Sequence, residues 1–212
     1  MARRRSAGYD DQRAAMLAEA ARLFARKGFV ATSMNEVADA CGLSKAALYH
    51  YFRDKYALLI EIAEGHVRQL LAVVEEVEVA HPDCASRLPA LIDRFVREYA
   101  SAQDAHRVLT EDVRFLDVPD RDRILGIERE VVSHFSACVA AVRPDLATQS
   151  LDKPLAMLLF GMINWLFTWF KPGQRLDYSD LAPLVADLFL NGVTRLQAQT
   201  RPTERGDRLD VI

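Results

Sequence analysis

Two amines, a phenol, an imidazole and two hydroxyls lie close together in the first quarter of the chain, on Thr32, Ser44, Lys45, Tyr49, His50 and Lys55. Ammonium groups pair with phosphate, and phenol, imidazole and hydroxyl groups donate to phosphate oxygens or to base edges. Their spacing adds a shape. Lys45, Ala46 and Ala47 make a slim leading edge for a short helix, and Leu48 and Phe52, four apart, anchor its opposite face on Val37, Ala38 and Leu43. Tyr49 and His50 then point outward. Lys55 opens the next helix, where backbone N–H groups also attract phosphate. A major groove about 12 Å wide admits one helix, provided that its front is small. The bland alternative is a generic helical hairpin.

The elements that must position these groups are legible as caps and breaks. Asp11 can cap a helix running to about Lys27, with Ala14, Leu17, Ala18, Ala21, Phe24 and Ala25 as its apolar stripe and Gly28 at its end. Ser33 and Glu36 have the spacing of a capping box for a short helix over Met34–Ala40. Gly42 suits a left-handed turn, Ser44 supplies the next N-cap, and Lys45–Phe52 follows. Asp54 can cap a long helix from Lys55 to about Val79. Further helices are expected over roughly 86–102, 104–116, 119–142, 153–170 and 179–199, separated by proline-containing breaks. No run of alternating apolar and polar residues argues for a strand.

Charge is unevenly placed. Residues 1–60 carry a balance of +4, including the basic arm Arg3, Arg4 and Arg5, whereas the rest of the chain carries −7. A globally acidic protein with a basic end can bind nucleic acid, because phosphate contacts depend on the local surface. A solvated helix face is the other reading.

The run from Gly28 to Ala38 and the run from Cys41 to Lys55 (CGLSKAALYHYFRDK) resemble the N-terminal domain of TetR/AcrR-family transcriptional repressors over about residues 11–60. The resemblance implies an all-α homodimer with three DNA-binding helices and a larger helical domain for ligand binding and dimerisation. It implies a double-stranded DNA operator as partner, and DNA roles for Thr32, Ser44, Lys45, Tyr49, His50 and Lys55. At Ala46 many members have Gly, so a methyl group stands at the base contact. The expected units are residues 1–55 for DNA, 56–200 for effector and dimer, and a frayed tail over 201–212.

The words RPDL at 143–146 and FGMINWLFTWFKPG at 160–173 are similar to repressors of this family that respond to coenzyme A thioesters, with phenylacetyl-CoA-responsive regulators as the nearest comparison. An acyl-CoA effector needs an apolar tunnel for the acyl group and cations for the phosphates. Phe160, Asn164, Trp165, Phe167 and Trp169 on one helix, with Arg107 and Arg114 on a neighbour, supply both. An aromatic stripe also suits a core or a dimer interface, and Arg107 and Glu111 suit a helical ion pair.

No hydrolase, nucleotide-binding or zinc-protease motif is present, so no catalytic group is expected and no cofactor is implied. His50, His66, His81, His106 and His134 are scattered, and a metal sensor built on His106, Glu111 and His134 is the weaker alternative. Cys41, Cys84 and Cys138 form no C-x-x-C pair, which fits a reducing cytoplasm. The apolar run 154–170 is shorter than the ~20 residues of a membrane span, so a buried helix is expected and no membrane partner. The resulting expectation is a cytoplasmic, ligand-responsive DNA-binding repressor. A helical interaction or scaffold protein that has lost operator binding, or a repressor sensing a hydrophobic drug or a metal, is the alternative.

Overall fold

The computed structural model describes residues 7–171, 173 and 176–197, apart from the side chains of Ala7 and Phe167. The basic arm Arg3–Arg5, the tail over 201–212 and the Phe167 side chain therefore lie outside the described residues. Within them the fold is all helix. α1 (Ala7–Lys27), α2 (Met34–Ala40) and α3 (Lys45–Tyr51) precede the long α4 (Lys55–Ala80). α5 (Cys84–Ser101), α6 (Gln103–Glu111), α7 (Val118–Val142), α8 (Pro144–Ala147), α9 (Asp152–Asn164), α10 (Leu166–Trp169) and α11 (Tyr178–Arg195) follow, with a 3-10 turn over Val113–Phe115 between α6 and α7.

Two hydrophobic cores meet on α4. Its first half, from Leu58 to Val67, packs with Met16, Ala20 and Phe24 of α1, Val37 and Ala38 of α2, Leu48 of α3, and Val108, Leu109 and Ile124 from α6 and α7. Its second half, from Leu70 to Val77, packs with Phe95 of α5, Phe135 and Val139 of α7, Leu159 and Phe160 of α9, and Phe189 of α11. Phe135 sits between Phe95 and Phe160 in edge-to-face contacts at 4.9 and 4.8 Å, an arrangement favoured by the ring quadrupoles.

The caps form as the sequence requires. Ser33 and Glu36 make the reciprocal capping box of α2, and the side chains of Ser44 and Asp54 accept from Ala47 N–H and Ala57 N–H. Glu36 also meets Lys27 at 2.5 Å, and with Lys27 and Ser33 both stabilising its anion the carboxyl is lowered to about 2. Gly42 holds φ +66°, so the turn between α2 and α3 needs a residue without Cβ strain.

Three helix expectations are corrected. α1 begins at Ala7 rather than at Asp11, because Tyr9 stacks on Tyr51 at 4.7 Å and Gln12 accepts from the Tyr51 hydroxyl at 2.6 Å, so tertiary contact extends the helix past its local cap. The segment expected over 104–116 ends at Glu111 and tightens into the 3-10 turn. The helix expected over 153–170 is interrupted at Trp165.

Candidate nucleic-acid interface and effector cavity

The turn between α2 and α3 presents α3 edge-on to solvent. Leu48 and Phe52 are buried beneath it, while Lys45, Ala46, Tyr49 and His50 are exposed, as the helical spacing predicts. The Lys45 ammonium lies 5.9 Å from the Tyr49 ring centroid, on the same side of the helix. Val30, Ser33, Asn35, Lys45 and Tyr49 line a shallow open groove beside this edge, together with the expected Thr32 and Lys55. Val30 and Asn35 are additions to the expected set. An exposed valine carries no polar signal in a sequence, and Asn35 reads there only as part of a helix start.

Two expected contact residues turn inward. Thr32 is 1% exposed, and its hydroxyl donates to the Gly28 carbonyl at 3.0 Å. Lys55 donates to the carbonyls of Phe29, Val30 and Thr32 at 2.6, 3.1 and 2.8 Å and lies 4.5 Å over the Phe29 ring. An ammonium has three protons, so in this arrangement none is left for a phosphate. In this structure the Thr32 hydroxyl and the Lys55 ammonium are held by backbone carbonyls and together staple the 28–33 loop. Ser44 is exposed, with its oxygen engaged as the α3 cap.

Lys55→Met keeps the stem and removes the three hydrogen bonds. Since the carbonyls are partly exposed, we expect a loss of about 1–2 kcal/mol in urea unfolding together with weaker DNA binding. A variant that loses DNA affinity at unchanged stability would return Lys55 to the role of a simple phosphate contact.

The second concave feature is a cavity of ≈ 240 Å³ enclosed by α4, α5, α6, α7 and α9. Val67, Leu70, Leu109, Val131 and Phe160 make its apolar wall, and Tyr99, His106, Glu128 and Asn164 bring polar groups to it. Tyr99 stacks on His106 at 3.8 Å between centroids, and His106 Nδ1 lies 3.2 Å from His66 Nε2. Burial holds both imidazoles neutral, lowering His66 to about 4 and His106 to about 3. Burial likewise raises the Glu128 carboxyl above the usual range. Asn164 Oδ1 is buried with no hydrogen-bond partner among the described residues.

Of the expected effector residues whose side chains are described, the cavity brings together Phe160 and Asn164 and leaves out Arg107, Arg114, Trp165 and Trp169; the Phe167 side chain lies outside the described residues. Trp165 and Trp169 are exposed, because the helix is interrupted between Asn164 and Leu166 and no longer carries them along the cavity face. Arg107 pairs with Glu111 at 3.1 Å, the helical ion pair that the spacing allowed. Arg114 falls on the 3-10 turn, its guanidinium 5.0 Å from the Phe115 centroid. The cations that do line the cavity are Arg129 and Lys153, both exposed and therefore on its solvent side. They come from different helices, so no local spacing announces them. The residues considered for a metal also separate, with His106 on His66, Glu111 on Arg107 and His134 on Glu78. Among the described residues no group of three or more potential ligands converges.

Residues 16–62 match the model of bacterial regulatory proteins of the tetR family, and residues 81–193 match a tetracyclin repressor-like C-terminal domain. The HTH-type transcriptional repressor KstR2 of Rhodococcus jostii is 25% identical over 194 residues, covering 89% of this chain and 94% of KstR2. A TetR-family transcriptional regulator from Bordetella parapertussis superposes with a TM-score of 0.82 at 32% identity, over 90% of this chain and 100% of that one. AibR, in complex with isovaleryl coenzyme A and operator DNA, shares the fold at a TM-score of 0.72 and 24% identity, over 84% of this chain and 97% of AibR.

Proposed function

Because the chain belongs to the TetR family of bacterial transcriptional regulators, which are not enzymes, we propose that it is a cytoplasmic repressor that binds a palindromic operator as a homodimer and is released by a small-molecule effector. In this reading residues 1–55 contact DNA and residues 56–200 bind the effector and dimerise. The observation that carries it is the exposed front of α3, with Lys45, Ala46, Tyr49 and His50 outward and Leu48 and Phe52 locking the helix from behind. Lys45 and His50 approach base edges and Tyr49 fixes the register, while Ser44, Thr32 and Lys55 hold the helix start and the loop.

The effector we propose is an acyl-CoA, with an arylacetyl group such as phenylacetyl as the acyl part. An apolar hole of roughly 150 Å³ takes one benzene, so ≈ 240 Å³ accommodates a ring with a short linker. Arg129 and Lys153 stand where the nucleotide phosphates would emerge. The AibR complex supports an acyl-CoA and an operator as ligand classes that this fold can take. Binding releases DNA only if the ligand favours a subunit arrangement whose α3 helices miss the half-site spacing. α4 is the lever, since it runs from the loop beside α3 to the cavity wall.

A salt-titrated gel shift on DNA upstream of the gene tests the first part. Lys45→Ala with Tyr49→Ala should abolish retardation of the cognate site while the protein stays folded and dimeric. Equal affinity of variant and parent would refute the interface. Calorimetry with phenylacetyl-CoA tests the second part. We expect binding that Arg129→Ala with Lys153→Ala weakens at least roughly tenfold, as expected when two charged hydrogen bonds are lost. If a free hydrophobic drug binds and CoA thioesters do not, the effector class is wrong and the repressor stands.

A further inference from the structure

Cys84 and Cys138 are 54 positions apart in the chain and meet with their sulfurs 3.4 Å apart. Both are free thiols. Cys84 is the first residue of α5 and half-buried, and Cys138 is fully buried on α7, so the pair bridges two helices that pack along their length. The DNA-binding and effector readings use neither sulfur. We propose that this pair is an oxidative modification site, which a hydroperoxide converts into an intramolecular Cys84–Cys138 disulfide.

The geometry favours this pairing over other fates of the thiols. A disulfide needs about 2.05 Å between sulfurs, so the two must close by a little over 1 Å, a distance within reach of small side-chain rotations. Cys84 reaches solvent at the start of α5 and meets the oxidant first. Its sulfur attacks one peroxide oxygen, the O–O bond breaks, the second oxygen leaves as alcohol or water, and Cys84 becomes a sulfenic acid. The Cys138 sulfur then attacks that sulfur, the S–S bond forms, hydroxide leaves as water, and the Cys138 proton goes with it. The two thiols lose two electrons and two protons, and the hydroperoxide is reduced to alcohol and water.

Burial beside Cys84 pushes the Cys138 thiol up to about 12, so Cys138 is unreactive towards solutes and acts only on a sulfur already beside it. Arg87, whose guanidinium meets Glu78 at 2.9 Å, favours the Cys138 thiolate and Glu78 opposes it, and Glu78 also meets His134 at 2.9 Å. The bond would tie the first turn of α5 to the C-terminal part of α7, and further along the same two helices Tyr99, Glu128 and Arg129 line the cavity.

The test treats the full-length reduced protein with hydrogen peroxide and follows free thiols, peptide masses and the melting temperature. The expected result is a fall in titratable thiols from three to one, a linked peptide containing Cys84 and Cys138 that has lost two hydrogens, a monomeric mobility on a denaturing non-reducing gel, and a higher melting temperature that dithiothreitol reverses. Cys41→Ser should leave the linked peptide, the gel mobility and the melting-temperature shift unchanged while the thiol count falls from two to none. If peptide mapping finds Cys84 over-oxidised or joined to another chain while Cys138 stays a thiol, the proposal is overturned. That measurement needs only the parent protein, so it decides the matter even if Cys138→Ser fails to fold.

Discussion

Replacing Leu188 by glutamate is expected to yield a folded monomer that no longer retards operator DNA. α11 has two apolar faces. Leu181, Val185, Phe189 and Val193 turn inward and pack on the core with α5, whereas Leu184 and Leu188 point outward at 54% and 68% exposure. Beside them in the chain's C-terminal half, Leu158, Trp165 and Trp169 are 65%, 60% and 59% exposed. Large exposed apolar side chains gathered on neighbouring elements mark an interaction surface. We propose that a four-helix bundle formed by α9 and α11 with their two-fold copies would cover both faces. A carboxylate buried without a partner in such an interface costs several kcal/mol, so the dimer dissociation constant should rise by two or more orders of magnitude. Operator binding falls with it, because each palindromic half-site needs one subunit. Sedimentation equilibrium reports the mass, and circular dichroism confirms that the helices persist. A variant that sediments as a dimer at micromolar concentration removes this face from the interface.

The second large effect is acid lability from the imidazole pair. His66 and His106 stay neutral in the fold down to about 4 and 3, against about 6.5 in the unfolded chain. As the pH falls below 6.5 the unfolded chain takes up protons that the folded chain refuses, so stability declines with falling pH until the folded groups themselves charge. With a slope for each group that rises from half of about 1.4 kcal/mol per pH unit at pH 6.5 towards the full value, the two should remove roughly 3 kcal/mol between pH 6.5 and 5. Glu36, with its folded carboxyl at about 2, loses its contribution in a lower window, as the pH drops through the usual carboxylate range towards that value. Urea unfolding at a series of pH values separates the two. His106→Gln should retain a polar group while flattening the slope above pH 5 by about half. An unchanged slope in that variant would mean that the imidazole pair does not govern the transition.

What the sequence makes legible depends on the range of the physics involved. Caps and turns such as Ser33 with Glu36, Ser44, Asp54 and Gly42 act over a few residues, and the helices of the N-terminal half follow from them. The outward set Lys45, Ala46, Tyr49 and His50 follows from helical periodicity once Leu48 and Phe52 are taken as the anchor. Thr32 and Lys55 are illegible for the opposite reason. Their partners are backbone carbonyls, which every residue carries, so nothing in the pattern says that a lysine at a helix start is spent on a loop rather than on a phosphate. The cavity is assembled by five helices, and Glu128, Arg129 and Lys153 become neighbours only through packing. The interruption at Trp165 is likewise invisible locally, since Asn164, Trp165 and Leu166 are all compatible with a continuous helix.

α4 contributes one half to each hydrophobic core, and that has a consequence for recombining this protein with its relatives. A chimera joined just before Lys55 would separate Leu58, Leu59, Ile62 and Val67, and with them Val108, Leu109 and Ile124, from the α1–α3 surface on which they pack. The seam that disturbs fewest of these packed neighbours on α4 falls between Val67 and Leu70, where membership passes from one core to the other. A transplanted sensor would therefore have to arrive with α6 and the start of α7 redesigned, since those elements press on the reader side of the seam.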